Sequence, residues 1–101
     1  MTEPKPVKIK QMRVFILFNL DRLYPTPLQV GSLYNVLCGF DEGYDIDLLQ
    51  KDLTYLKEKG YVRFVDEAIG GADSFRNKYV RLTASGKEIA DKTQTDRALD
   101  I

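Results

Sequence analysis

The chain has 101 residues, 44% of them apolar and 30% charged, which suits one domain with a single core and leaves no room for an active-site cleft between lobes. Its 15 basic and 15 acidic side chains sum to zero net charge, so the global basic footprint of a strong nucleic-acid binder is missing. With no histidine and one cysteine, Cys38, the residues argue against an internal disulfide, His-based catalysis and a metal site, and no cofactor is expected.

Residues 1–6, MTEPKP, are expected to form a flexible lead, because two prolines interrupt a short polar stretch. From Val7 to Leu23, apolar residues at 9, 12, 15, 16, 20 and 23 follow helical spacing, and Pro25 stops the run. Val14, Leu17 and Phe18 widen the apolar face of this first helix, so it is either central to the fold or shared with a second subunit. The longest apolar run, Val14 to Phe18, falls far short of the roughly 18 to 20 residues that cross a bilayer. Residues 1–13 also lack a signal-peptide pattern. No membrane partner is therefore expected, and a cytoplasmic location is the default.

Thr26 before Pro27 predicts the start of a second helix over about 27–38, with Leu28, Leu33, Val36 and Leu37 facing inward. Gly39 is placed to end it in a left-handed conformation. After the connector FDEGYD, Asp45 predicts the cap of a third helix with Ile46, Leu49, Leu53 and Leu56 on its inner face, and Gly60 ends it. At about 100° per residue, the opposite face centres on Asp47, Lys51, Thr54, Tyr55 and Glu58.

Strands are expected over about 61–67 and 77–83, joined by a long turn containing Gly70 and Gly71. Thr83 or Ser85 then opens a last helix through about Lys92, with Ile89 and Ala90 inward. Residues 93–101 are expected to be a flexible tail, leaving 7–92 as the folded domain.

Two local patterns carry a resemblance. In 53-LTYLKEKGYV-62, two leucines three apart precede a helix-ending glycine and an aromatic–valine pair; in 79-YVRLTASGKEIAD-91, a strand runs into L-T-x-x-G and a closing helix. With the element order, these resemble the winged helix-turn-helix domain of MarR- and PadR-like transcriptional regulators over roughly residues 7–92. The resemblance implies an α+β, mainly α fold with a three-helix core, a β-hairpin wing and a C-terminal helix. It also implies binding of double-stranded DNA, with Lys51, Thr54 and Tyr55 in the major groove. Arg63, Arg76 and Lys78 on the hairpin would meet backbone or minor groove, and Lys8, Lys10 and Arg13 near the start would add phosphate contacts. Such regulators commonly dimerise through their first and last helices, so a homodimer through the first helix is expected.

Local charge pulls against that expectation. Residues 41–60 hold Asp41, Glu42, Asp45, Asp47, Asp52 and Glu58 against Lys51, Lys57 and Lys59, and carboxylates near phosphates are repelled. Acids at a helix start and lysines at its end are also what helix stability alone selects. The connector from Gly39 to Tyr44 exceeds the three- or four-residue turn of the standard motif, so the third helix is expected at a nonstandard angle. Lys51 and the hairpin arginines read equally well as solvated surface charge, and Tyr55 as cover for a neighbouring element. Cys38, in apolar surroundings with no adjacent base, reads as a packing thiol before a redox sensor. A protein-interaction module that never meets DNA is the alternative, and no constellation of residues points to an enzyme.

Overall fold

A computed structural model describes the backbone of residues 6–65 and 75–95 and the side chains of 10–65 and 75–92. The architecture is α+β and mainly helical. In chain order it has α1 (Pro6–Leu23), β1 (Leu28–Gln29), α2 (Val30–Cys38), α3 (Ile46–Glu58), β2 (Val62–Val65), a 3-10 turn (Phe75–Asn77), β3 (Tyr79–Leu82) and α4 (Ala84–Thr95). The strands form one antiparallel sheet in the order β1-β3-β2. The expected turn containing Gly70 and Gly71, the first five residues and residues 96–101 lie outside the described part.

The core gathers the inner faces of every helix. Met12, Ile16, Leu17 and Leu20 of α1 meet Leu33 and Leu37 of α2, Leu49, Leu53 and Leu56 of α3, and Val62, Val80 and Leu82 of the sheet. α1 touches α2, α3, α4 and β3, so its wide apolar face is used within the chain. Lys87 Nζ of α4 also donates to Asp21 Oδ1 of α1 at 2.7 Å, tying the first and last helices together.

α3 begins and ends where the sequence predicts. Asp45 Oδ1 accepts the Leu48 amide at 2.9 Å, satisfying one of the donors that a helix start leaves free. At the other end Gly60 has φ +81°, a left-handed conformation that glycine adopts at little steric cost. The amide of Tyr61 then returns to the carbonyl of Leu56 at 2.9 Å.

The two patterns singled out in the sequence meet at this corner. Thr83 Oγ1 accepts the Gly86 amide at 3.0 Å, which caps α4, and its hydroxyl donates to the carbonyl of Gly60. The Thr83 amide binds the Tyr61 carbonyl at 3.0 Å. A Cβ on Gly86 would stand 1.9 Å from that same carbonyl oxygen, so glycine is required for α4 to start this close.

Four expectations need correction. The second helix starts at Val30, because Leu28 and Gln29 pair with Val80 and Tyr79 of β3, and the Val30 amide donates to the carbonyl of Lys78 at 2.8 Å. Sheet pairing satisfies these backbone groups in place of a Thr26 cap. Gly39 is right-handed, with φ −68° and ψ −21°, and the helix closes through tight bonds from Gly39 to Val36 and Phe40 to Leu37. Val36, expected inside, is 42% exposed. At the C-terminal end α4 runs to Thr95, three residues into the stretch expected to be tail.

Candidate functional site on the third helix

The burial of Leu49, Leu53 and Leu56 turns the other side of α3 to solvent. Asp47, Lys51, Thr54 and Glu58 are exposed, and Tyr55 is half-buried. With Gln50 they line a shallow, open surface depression of about 490 Å3. Two carboxylates flank one ammonium there, so the face carries no positive excess of its own.

A second group stands behind it. Arg13 of α1 donates from Nε to Asp52 Oδ1 at 3.3 Å, and its guanidinium carbon lies 3.6 Å from the centroid of the Tyr55 ring. Such a cation over an aromatic face is attracted to the ring quadrupole. Asp52 Oδ2 accepts the Tyr44 hydroxyl at 2.7 Å. Asp52 is only 7% exposed, and burial pushes its pKa up against the opposing pull of the Tyr44 hydrogen bond and the Arg13 charge. Burial, then the Asp52 charge, pushes the Tyr44 phenol up as well.

The connector is held at Tyr44 from both sides. Its carbonyl accepts the Tyr34 hydroxyl at 3.4 Å and lies 3.7 Å from Cys38 Sγ, both on α2. Cys38 is therefore a half-buried thiol turned toward a carbonyl. Arg76 in turn lies 5.0 Å from the Tyr34 ring centroid.

The residues singled out in the sequence thus divide. Lys51, Thr54 and Tyr55 share the outer face of α3, and Arg13 is brought into contact with Tyr55. Arg76 and Lys78 are exposed beside the start of α2, where the carbonyl of Lys78 accepts the Val30 amide. Arg63 stands opposite Arg81 on β3, on the side of the sheet away from the core residues Val62 and Leu82. Lys10 is half-buried on α1, and the side chain of Lys8 lies outside the described residues. Lys57 and Lys59 at the end of α3 approach the rings of Phe64 and Tyr55 at 5.7 and 5.6 Å.

Sequence reasoning missed Tyr44 and Asp52. Counted by charge, Asp52 is one more acid in an acidic segment; placed on the helix at 100° per residue, it falls beside Leu49, Leu53 and Leu56. That position was the available signal. A further surface feature is aromatic: Phe15 of α1 stacks on Phe40 at 4.5 Å between centroids, and Phe40 is 60% exposed next to Val36.

No protein-family model matches the chain, and no curated protein sequence matches it. Among the described residues, no helix is long and apolar enough to cross a membrane.

Proposed function

We propose that the chain is a DNA-binding winged-helix protein, a small transcriptional regulator that lays α3 in the major groove and β2–β3 against the backbone or minor groove. The observation that carries this reading is a capped α3 whose outer face, Lys51 and Thr54 included, is open beside an antiparallel strand pair. Exposed Arg63, Arg76 and Lys78 add cations on the strand side, where phosphate contacts would fix register. The half-buried Arg13–Asp52 pair takes one carboxylate, and with it one cation, out of the surface charge near α3.

Titrating a generic duplex across a salt series tests the proposal. Wild type binds and weakens steeply with salt, whereas a Lys51→Ala, Arg76→Ala, Lys78→Ala triple variant shows a shallower slope, because each lost phosphate contact removes about 0.9 from the slope. Absence of binding at low salt removes the DNA reading.

One observation favours a second reading, a protein-interaction module. Asp47 and Glu58 are exposed on the same face as Lys51, which suits a partner with basic groups better than a polyanion. A wild type that ignores DNA would turn the search to a protein partner of α3.

The proposal includes a homodimer through α1. The Phe15–Phe40 stack leaves an apolar patch open on the α1–α2 side. Its neighbours one helical turn away, Gln11 and Asn19 on α1 and Ser32 on α2, are uncharged. Asp41 and the exposed Glu42 follow Phe40, so two copies of this face meet best with these carboxylates at the rim.

A further inference from the structure

We propose that Arg13, Asp52 and Tyr44 form a clamp that sets the angle of α3, and that Arg13 is a positioning residue for the α3 face rather than one of its phosphate contacts. The inference rests on the DNA reading of that face.

The clamp joins elements far apart in the sequence. Arg13 comes from α1, Tyr44 from the connector, and Asp52 from α3, where one carboxylate takes both partners at 3.3 and 2.7 Å. The carbonyl of Tyr44 extends the chain of contacts to Tyr34 and Cys38 on α2. A connector longer than the usual three- or four-residue turn leaves the angle between α2 and α3 loosely determined by the turn itself. Fixed donors on both oxygens of Asp52 supply the missing restraint. An apolar side chain of similar size would fill this space at less desolvation cost, but it would lack the directed bonds that tie α3 to α1 and the connector.

Arg13 is committed on two sides, with its side chain 20% exposed. Its Nε is on Asp52 and its guanidinium plane is over Tyr55. Its effect on a ligand of the α3 face therefore passes through Tyr55 and Asp52, which share that helix.

The test uses the full chain and three variants: Arg13→Ala, Arg13→Lys, and Tyr44→Phe, which deletes one hydrogen bond without changing charge. Duplex affinity is measured across a salt series, well below each variant's unfolding midpoint, beside amide hydrogen exchange. Arg13→Ala and Tyr44→Phe are expected to weaken binding about tenfold, a loss of about 1.4 kcal/mol, with the salt slope unchanged. Arg13→Lys, which keeps the pairing with Asp52, recovers most of the loss. Amides over residues 41–52 exchange faster in Tyr44→Phe while those of α4 do not.

A slope reduced by about 0.9 in Arg13→Ala makes it a phosphate contact and overturns the proposal. So does an affinity that neither variant changes. If wild type binds no duplex, the DNA reading fails by itself, and hydrogen exchange decides the clamp: acceleration confined to the connector and α3 supports it, and an unchanged pattern overturns it.

Discussion

Asp52 is a carboxylate in an apolar setting, and burial raises its pKa above the ordinary 3.8 despite two stabilising partners. A raised value means that the folded state binds the proton more tightly than the unfolded state. The stability linked to this proton is thus fully present below the unfolded pKa and is lost as pH rises through the folded one. Urea unfolding of wild type and Asp52→Asn at pH 7 and near pH 4 isolates the effect, since the other carboxylates are common to both. Wild type should gain stability relative to the variant on acidification; a flat difference would leave the raised pKa without support. At the same scale, two glycines differ in what they must be: Gly39, expected left-handed, is right-handed, while Gly86 starts α4 against a backbone carbonyl. Gly86→Ala drives a methyl into the Tyr61 carbonyl and should cost about 1 to 3 kcal/mol or more as overpacking. Gly39→Ala enters a right-handed residue with its Cβ 3.2 Å from the Val36 carbonyl oxygen, a tight but smaller clash, and should cost less. Thermal or denaturant midpoints of the two variants would reveal the reverse order if the corner is misread.

α3 was legible in the sequence because its determinants are local. A cap at Asp45, leucines at helical spacing and a glycine at 60 all act within a few residues of one another. Asp45→Ala should lower stability by about 0.5 to 2 kcal/mol, and Leu53→Ala, which empties a fully buried site, by about 2 to 5 kcal/mol. Equal losses in denaturant unfolding at the two sites would mean that the cap does more than hold one amide. The start of α2 was not legible, since Leu28 finds its partner at Val80 on a strand far along the chain. Local reading offered Thr26–Pro27 as a cap, and nonlocal pairing overrode it. The candidate site divides in the same way. The outer residues of α3 follow from 100° steps alone, whereas the clamp needs Arg13 and Tyr44, whose approach to Asp52 only the packed fold produces.

For the whole molecule, α1 has two sides with different uses. One is occupied by α4, held by Lys87 on Asp21, and the other ends in the exposed Phe15–Phe40 stack. Self-association should therefore run through the α1–α2 side. Sedimentation at tens of micromolar should find wild type as a dimer and Phe40→Glu as a monomer with an unchanged circular dichroism spectrum, because two buried carboxylates would face each other across the two-fold axis. A dimer that survives Phe40→Glu would move the interface elsewhere, and a wild-type monomer would remove it. The distinction bears directly on the proposed DNA role. One α3 face with two carboxylates beside one lysine would have little electrostatic affinity to offer, whereas two copies linked through α1 would engage two half-sites at once and multiply the modest affinity of each.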